Sequence, residues 1–318
     1  MFLTEDKESS RKQTEQVMNR SFCVFVLAMS LLSAPAFAQA DLAGNWAPLY
    51  HEDFPERIPG PELGDYMGIP INNAARMRGD SYDADRISVV QEYQCRPHGS
   101  DYSMRGLANM RVDEVLDPTT QRLVAIHVRM NFQEMERMIW MDGRAHPDDL
   151  GPHTFPGFST GTWDNNMLNV YTTHLKESYL RRNGLPRSDK ATYRDHWVRH
   201  GNYLTVTTVI TDPVFLTEPL VRSQTWIFDP AQRMGRDVCE YVPEIPKAAD
   251  YIPNHLPGAN PYLHEVADWY GLPWAATRGG AETLYPEYRM KMGQPEKSPA
   301  KCERYCACGQ DGGPCNLH

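Results

Sequence analysis

The stretch TYRDHWVRHGNYLTVTTVIT, from Thr192 to Thr211, decides the fold that we expect for this chain. Its second half alternates apolar and polar positions, which is typical of a strand with one buried face. The Gly201-Asn202 pair in its middle is typical of a tight turn. The stretch therefore predicts two antiparallel strands joined by a hairpin.

Similar short runs continue on both sides of this hairpin, and turn residues separate them. One of the turns is Asp142-Gly143, which predicts a hairpin turn because both of its positions favour positive φ. No long helical patterns alternate with the runs, so a parallel βαβ sheet is not expected. Seven or eight strands suffice for a small barrel or a sandwich, and we predict a mainly β fold, an antiparallel β-barrel, over residues 109–240. The clearest strands span 111–116, 122–130, 134–141, 167–175, 192–200, 203–211 and 221–228.

The flanking regions have a different texture. Residues 39–108 hold several prolines and predict an irregular N-terminal arm, with one helical piece from Ile71 to Arg78. Residues 241–318 predict a C-terminal extension with short helices around Tyr262–Tyr270 and Ala281–Met292, followed by a cysteine-rich tail.

The N-terminus carries an apolar run, SFCVFVLAMSLLSAPAFA, that ends in small residues at Ala36 and Ala38. This pattern predicts a signal peptide over residues 1–38 and a periplasmic or secreted protein, with no membrane span after cleavage. The run lies far from Met1, and a start at Met18 would give it an ordinary short basic leader.

The cysteines are interpreted with export in mind, because oxidising compartments favour disulfides. Six cysteines remain after residue 38, and they allow about 15 connectivities. We expect Cys95 to pair with Cys239 and the tail cysteines to pair among themselves. A zinc site formed by the tail cysteines with His318 is the alternative.

Charge and motifs exclude two classes of partner. Lysine plus arginine count 32 against 41 acidic residues, a net charge of −9, so we expect no nucleic-acid binding. The sequence lacks the glycine-rich motifs of nucleotide-binding loops, so no nucleotide cofactor is expected.

Histidines carry the candidate chemistry, because five of the eleven fall between residues 146 and 200. His196 and His200 share one strand face, and we expect them to look into one cavity of the barrel. Imidazoles that converge there would act as acids and bases or hold a metal ion, and structural histidines are the third interpretation. Nearby polar residues would orient them. The candidate catalytic residues are His146, His153, His174, His196, His200, Asp142, Arg144 and Asp195.

A second candidate is GFSTG, Gly157 to Gly161, which matches the G-x-S-x-G motif of serine hydrolases. That motif needs a strand before the serine and a helix after it, whereas here a proline-rich segment precedes and a strand follows. A glycine-rich loop that enters a strand is the simpler interpretation of Ser159.

Three segments of the chain resemble an uncharacterised family of exported bacterial proteins. They are MIWMDGRAHP (Met138–Pro147), GFSTGTWDNNMLNVYTTH (Gly157–His174) and DPVFLTEP (Asp212–Pro219). The chain departs from the family at Asn165-Asn166, where Gly-Asp is common, and at residues 195–197, where Glu-Arg-Phe is frequent. The resemblance implies an exported, β-rich, lipocalin-like barrel and no particular reaction.

These observations lead to one expected function with two alternatives. We expect an exported enzyme that performs acid/base chemistry, of lyase, isomerase or hydrolase type, on a small apolar or aromatic molecule. The first alternative is a non-catalytic periplasmic protein that binds a small hydrophobic ligand in the barrel. The second is an envelope interaction protein that works through its arm and tail.

Overall fold

The computed structural model describes residues 39–49, 63–86, 90–104, 108–131, 135–235 and 238–292. Within them the fold is mainly β, as predicted, and nine strands close into a barrel. Two further short strands form a separate hairpin. The strands are β1 (Gly44–Pro48), β2 (Met110–Leu116), β3 (Leu123–Met130), β4 (Met135–Trp140), β5 (Phe158–Asp164), β6 (Met167–Thr173), β7 (Ser178–Tyr179), β8 (Pro186–Arg187), β9 (Thr192–His200), β10 (Tyr203–Thr211) and β11 (Leu220–Phe228).

The barrel order is β1-β11-β10-β9-β6-β5-β4-β3-β2, and all neighbours except one pair are antiparallel. The exception is β4 with β5, which run parallel and pair at Ile139–Ser159 and Trp140–Thr160. The hairpin turn predicted at Asp142-Gly143 is therefore wrong, because parallel strands need a longer crossover. The crossover here comprises residues 141–157. The turn at Gly201-Asn202 is confirmed, since His200 pairs with Tyr203.

Two barrel strands come from segments without a clear strand pattern. Strand β1 lies in the predicted arm and closes the barrel between β11 and β2. Strand β5 covers most of the GFSTG motif, which the sequence favoured as a loop. The other predicted barrel strands are observed with ends shifted by at most two residues.

Apolar side chains fill one part of the barrel interior. Trp46, Trp197 and Trp226 are fully buried there, together with Leu204. The indole N–H of Trp46 donates to the carbonyl oxygen of Leu42 at 3.1 Å, which fixes the chain just before β1. Burial of large aromatic side chains contributes most of the hydrophobic stabilisation of such a core.

A charged group lies in the interior beside this apolar region. The Arg137 guanidinium on β4 pairs with the Asp195 carboxylate on β9 at 2.6 Å, and both side chains are at most 1% exposed. Arg137 also donates to the hydroxyls of Ser159 on β5 at 3.0 Å and Thr172 on β6 at 2.6 Å. One buried side chain therefore joins four strands of the barrel.

The segment 98–104 covers this polar region and brings a second buried ion pair. Asp101, in the short helix α2 (Ser100–Ser103), lies 3.8 Å from Arg187 of β8, with both side chains buried. Burial raises the pKa of Tyr193 well above its usual value, and the negative charge of Asp101 raises it further. Tyr193 and Asp195 are two residues apart on β9, so both side chains face inward and the two ion pairs are neighbours.

Short helices flank the barrel. The helix predicted from Ile71 is observed as α1 (Asn73–Ser81), and the Asn72 side chain caps it by accepting from the Ala75 N–H. The predicted C-terminal helices are present as shorter pieces. The C-terminal pieces are α3 (Glu265–Tyr270), α4 (Trp274–Thr277), α5 (Pro286–Met292) and a 3₁₀ helix at Ala281–Leu284. Another 3₁₀ helix spans Gln91–Gln94.

The predicted pairing of Cys95 with Cys239 is confirmed, and the bond spans a sequence separation of 144 residues. The predicted signal peptide and the tail cysteines lie outside the described residues. None of the helices in the described ranges has the length and apolar character needed to cross a lipid bilayer.

Replacing Asp195 with asparagine should lower the free energy of unfolding by about 3–5 kcal/mol, because it leaves the Arg137 charge buried without a counterion. Urea denaturation measures this loss. The matched control is Asp113→Asn, because Asp113 pairs with Arg111 and Arg129 on the partly exposed surface. That variant should lose no more than about 1 kcal/mol. Equal losses in the two variants would contradict a special role for the buried pair.

Candidate functional site

The strand register places four side chains in one row on the outer face of the barrel. Trp140 of β4 pairs with Thr160 of β5, Thr160 pairs with Tyr171 of β6, and Tyr171 pairs with Arg194 of β9. Their neighbours along each strand are buried in the barrel, so the row itself faces outward.

His146, in the crossover 141–157, packs against this row. The His146 ring lies between the rings of Phe158 and Tyr171, at centroid distances of 5.0 and 5.1 Å. Its Nε2 is 2.9 Å from Oγ1 of Thr160, and its Nδ1 is 2.7 Å from Oγ1 of Thr173. Both ring nitrogens are therefore engaged by threonine hydroxyls.

Two arginines lie over aromatic rings of the same row. The Arg144 guanidinium lies 3.5 Å from the centroid of the Trp140 ring and donates to Asp142 at 2.9 Å. The Arg194 guanidinium lies 4.9 Å from the centroid of the Tyr171 ring. The patch therefore combines imidazole, aromatic surface and positive charge.

A second histidine joins the chain of hydrogen bonds. His174 Nδ1 is 2.7 Å from the Thr173 hydroxyl oxygen, and His174 Nε2 is 2.7 Å from the backbone carbonyl oxygen of Asp148. His174 adopts φ +56°, in the left-handed region, directly after β6 ends. This conformation accompanies the turn of the chain away from the strand.

When both imidazoles are neutral, the Asp148 carbonyl oxygen determines which atom carries each proton in this series of hydrogen bonds. A carbonyl only accepts, so His174 carries its proton on Nε2, and its Nδ1 accepts from the Thr173 hydroxyl. Thr173 then accepts from His146 Nδ1–H, which leaves His146 Nε2 to accept from the Thr160 hydroxyl. The order of donation runs from Thr160 through His146, Thr173 and His174 to Asp148.

This arrangement favours the neutral form of His146. Partial burial lowers its pKa below the usual histidine value, and the charge of His174 lowers it further. A protonated His146 would also force the Thr160 hydroxyl to turn away from Nε2. At neutral pH His146 is therefore a base whose free electron pair points at a hydroxyl.

His153 stands beside this chain. Its ring centroid is 5.2 Å from that of His174, and its Nδ1 donates to the carbonyl oxygen of Leu175 at 2.8 Å. Gly157, with φ +74°, permits the close approach of the crossover to β6, because a Cβ there would lie 2.6 Å from the Thr173 carbonyl oxygen. Any larger residue at position 157 would push the crossover away from the strand.

The structure brings together five of the predicted site residues and separates the other three. Those that converge are Asp142, Arg144, His146, His153 and His174. His196 faces outward farther along β9, where its Nδ1 is 2.6 Å from Oδ1 of Asn169, and His200 is exposed. The expectation that His196 and His200 point into the barrel is wrong, because the alternation along β9 turns Tyr193, Asp195 and Trp197 inward instead.

The serine of the GFSTG motif also faces inward. Ser159 is fully buried, and its Oγ bonds Arg137 and Thr172. It is Thr160, the next residue, that meets the histidine. Alternation identifies Thr160 once the motif is recognised as a strand, and strand β6 identifies Thr173 in the same way, so these residues were missed because β5 was not predicted.

The alternative of a metal site formed by the histidines has no support in the described ranges. No group of three or more His, Cys, Asp or Glu side chains there has the arrangement of a metal site. The cysteine-rich tail, where a zinc site was the alternative to disulfides, lies outside those ranges.

Comparison with family models, curated proteins and solved structures finds no match to this chain. The resemblance to exported bacterial proteins therefore stays a prediction. The row Trp140, Thr160, Tyr171 and Arg194, together with His146, Thr173 and His174, is called the outer-face site below.

The two histidines should show opposite neutral tautomers. We expect the neutral form of His146 to carry its proton on Nδ1 and the neutral form of His174 to carry its proton on Nε2. Long-range ¹H–¹⁵N correlation spectra of the imidazoles distinguish the two forms. Either histidine in the other tautomer would contradict the order of donation derived above.

Stability should depend on pH through His146. Because its pKa is lowered in the folded protein, the unfolded chain binds the proton more readily below about pH 6.5, and acidification favours unfolding. Urea denaturation at pH values above and below this point should show a smaller loss in His146→Gln than in the wild type. His200→Gln, at an exposed position, serves as the control and should match the wild type. Identical pH dependence in all three proteins would refute the lowered pKa.

Proposed function

We propose that the protein is an exported enzyme that performs acid/base chemistry on a small molecule at the outer-face site around His146. One observation carries this proposal: a neutral imidazole with a lowered pKa accepts a hydrogen bond from a hydroxyl at 2.9 Å and is oriented by a second hydroxyl at 2.7 Å. A base that is both held in one tautomer and uncharged at neutral pH is what proton abstraction requires.

His146 is the base in this proposal, and Thr160 is the group through which it acts. A substrate proton passes to the Thr160 oxygen while the Thr160 hydroxyl proton passes to His146 Nε2. Thr173 and His174 act as positioning residues, because they hold Nδ1 protonated and so keep Nε2 free to receive the proton. The threonine is unchanged at the end of the step, and the substrate carries a negative charge.

The surroundings suit a substrate with an apolar body that becomes an anion. Phe158 and Tyr171 offer ring surface beside the base, and Arg194 lies over the outer part of the same patch. Within the described residues Arg194 has no carboxylate partner, so its charge is available to stabilise an anion formed by proton loss. Many lyase and isomerase reactions begin with such a step, and in hydrolase reactions the same base takes the proton from the attacking water instead.

Export forms part of the proposal. The N-terminal sequence predicts a signal peptide, and the Cys95–Cys239 bond is of the kind that persists in the periplasm or outside the cell. The alternative of a hydrophobic ligand held within the barrel stays a prediction, as does the envelope interaction role.

Exchange of substrate protons with deuterated water tests the function without knowledge of the substrate. The purified protein is incubated in D₂O with a mixture of small carbonyl compounds, esters and hydroxy acids, and mass spectrometry detects deuterium uptake or a new product. We expect at least one compound to react, and His146→Gln to slow that reaction by about 100-fold or more. Thr160→Val should cause a similar loss with little change of shape.

His200→Gln is the matched control, because it removes an exposed histidine from the same barrel. It should retain wild-type activity. A reaction that His146→Gln leaves intact would assign the chemistry to another site, and the absence of any reaction in a broad mixture would refute the enzyme proposal.

A further inference from the structure

A polar cavity of about 250 Å³ lies outside the barrel and apart from the residues of the outer-face site. The end of α1, the 3₁₀ helix Gln91–Gln94 and the β7–β8 hairpin supply its walls. Asn254, from the C-terminal extension, completes the lining. A cavity of this volume has room for a small organic ligand.

Tyr82 supports a ligand-binding role for the cavity. The residue is only 5% exposed, and its ring packs against Tyr179 at a centroid distance of 5.3 Å. Among the described residues, none hydrogen-bonds its hydroxyl, and because Tyr82 lines the cavity, this hydroxyl can donate to a ligand there. Burial raises the pKa of Tyr82, so the hydroxyl remains a donor at neutral pH.

The position of Tyr82 is closely fixed. A Cβ at Gly184 would lie 2.3 Å from Cβ of Tyr82, so only glycine permits this approach of the hairpin, and Gly184 also adopts φ +84°. The carbonyl oxygen of Tyr82 accepts from the Asn260 side chain at 3.3 Å. A donor held in this way is preorganised for a ligand.

Positive charge outweighs negative charge in the lining. Arg78 and Glu177 form an ion pair at 2.5 Å at the exposed rim, with side chains 59% and 55% exposed. The third charged side chain of the lining is Arg96, which has no carboxylate partner within the described part of the chain. Arg96 follows Cys95, so the disulfide with Cys239 fixes its backbone.

The remaining lining offers neutral hydrogen-bonding groups. Tyr179 contributes a second phenol, whose pKa burial raises, so that it too stays protonated. Gln91 and Ser178 bond each other, at 3.0 Å from the amide nitrogen to the hydroxyl and 3.1 Å from the hydroxyl to the amide oxygen. A guanidinium beside two phenol donors matches a carboxylate, and the amide and hydroxyl groups match ligand hydroxyls.

We propose that this cavity binds a small hydroxylated carboxylate, with the carboxylate held by Arg96 and the hydroxyl groups of Tyr82 and Tyr179. The site is independent of the chemistry proposed for His146, and either proposal can fail without the other.

Isothermal titration calorimetry of the full protein with lactate and gluconate as probes tests the proposal. We expect saturable binding of at least one probe, and none of lactamide or glucose, which keep the hydroxyl groups and lack the charge. Arg96→Gln should weaken binding about tenfold or more, because it removes a charged hydrogen bond. Tyr82→Phe, which removes one oxygen atom, should weaken it measurably too.

Arg122→Gln is the matched control, because Arg122 is an exposed arginine in the turn between β2 and β3. It should bind the probe like the wild type, and near-ultraviolet circular dichroism checks that each variant is folded. Absence of binding of both probes to the wild type would overturn the proposal. So would binding that survives both Arg96→Gln and Tyr82→Phe, or equal affinity for lactate and lactamide.

Discussion

The buried guanidinium of Arg137 is the interaction on which the rest of the barrel depends. Strands β4 and β5 meet in parallel and share two residue pairs, so main-chain hydrogen bonds hold this seam over a short distance. Arg137 reinforces it from within, because its partners come from β5, β6 and β9. Removing a charge from water costs several kcal/mol unless its partners are all in place. The guanidinium has all its partners only when the strands are paired so that Ser159, Thr172 and Asp195 meet at one point. The Arg137–Asp195 ion pair therefore favours this strand register over others.

The same register determines what the outer surface presents. Side chains alternate along a strand, so the register that turns Ser159 toward Arg137 turns Thr160 toward His146, and the inward position of Thr172 places Thr173 outside. A slip by one residue would exchange both sets. The outer-face site is thus positioned by the core beneath it, and the crossover 141–157 supplies its histidine. A rigid strand surface with a loop laid across it is a favourable base for chemistry, because the strands fix the threonines to which the imidazole is hydrogen-bonded.

Much of the barrel follows from the sequence, because period-two alternation and turn residues are local signals. They predict β9 and β10 to the residue, and export considerations predict the Cys95–Cys239 bond. Strand β5 escapes prediction because GFSTG holds two glycines and little apolar surface, and its burial is supplied by neighbours distant in sequence. Whether His196 points inward depends on which face of β9 the core covers. Asp195 and Trp197 occupy the covered face, so His196 between them points outward. Asp195 is itself an unusual core residue that only Arg137 explains, so no single segment contains the information.

The disulfide connects compartment and structure. The cavity walls come from short segments that lack the support of a large sheet, and the Cys95–Cys239 bond ties the segment of Arg96 to a segment 144 residues away. Closing so long a loop removes much conformational entropy from the unfolded chain, which stabilises the folded arrangement of these segments. Such a bond forms and persists in oxidising compartments, in agreement with the export that the N-terminal sequence predicts. The barrel, by contrast, is held by core packing and buried ion pairs that need no oxidant. Loss of the bond should therefore loosen the cavity wall while the outer-face site keeps its support.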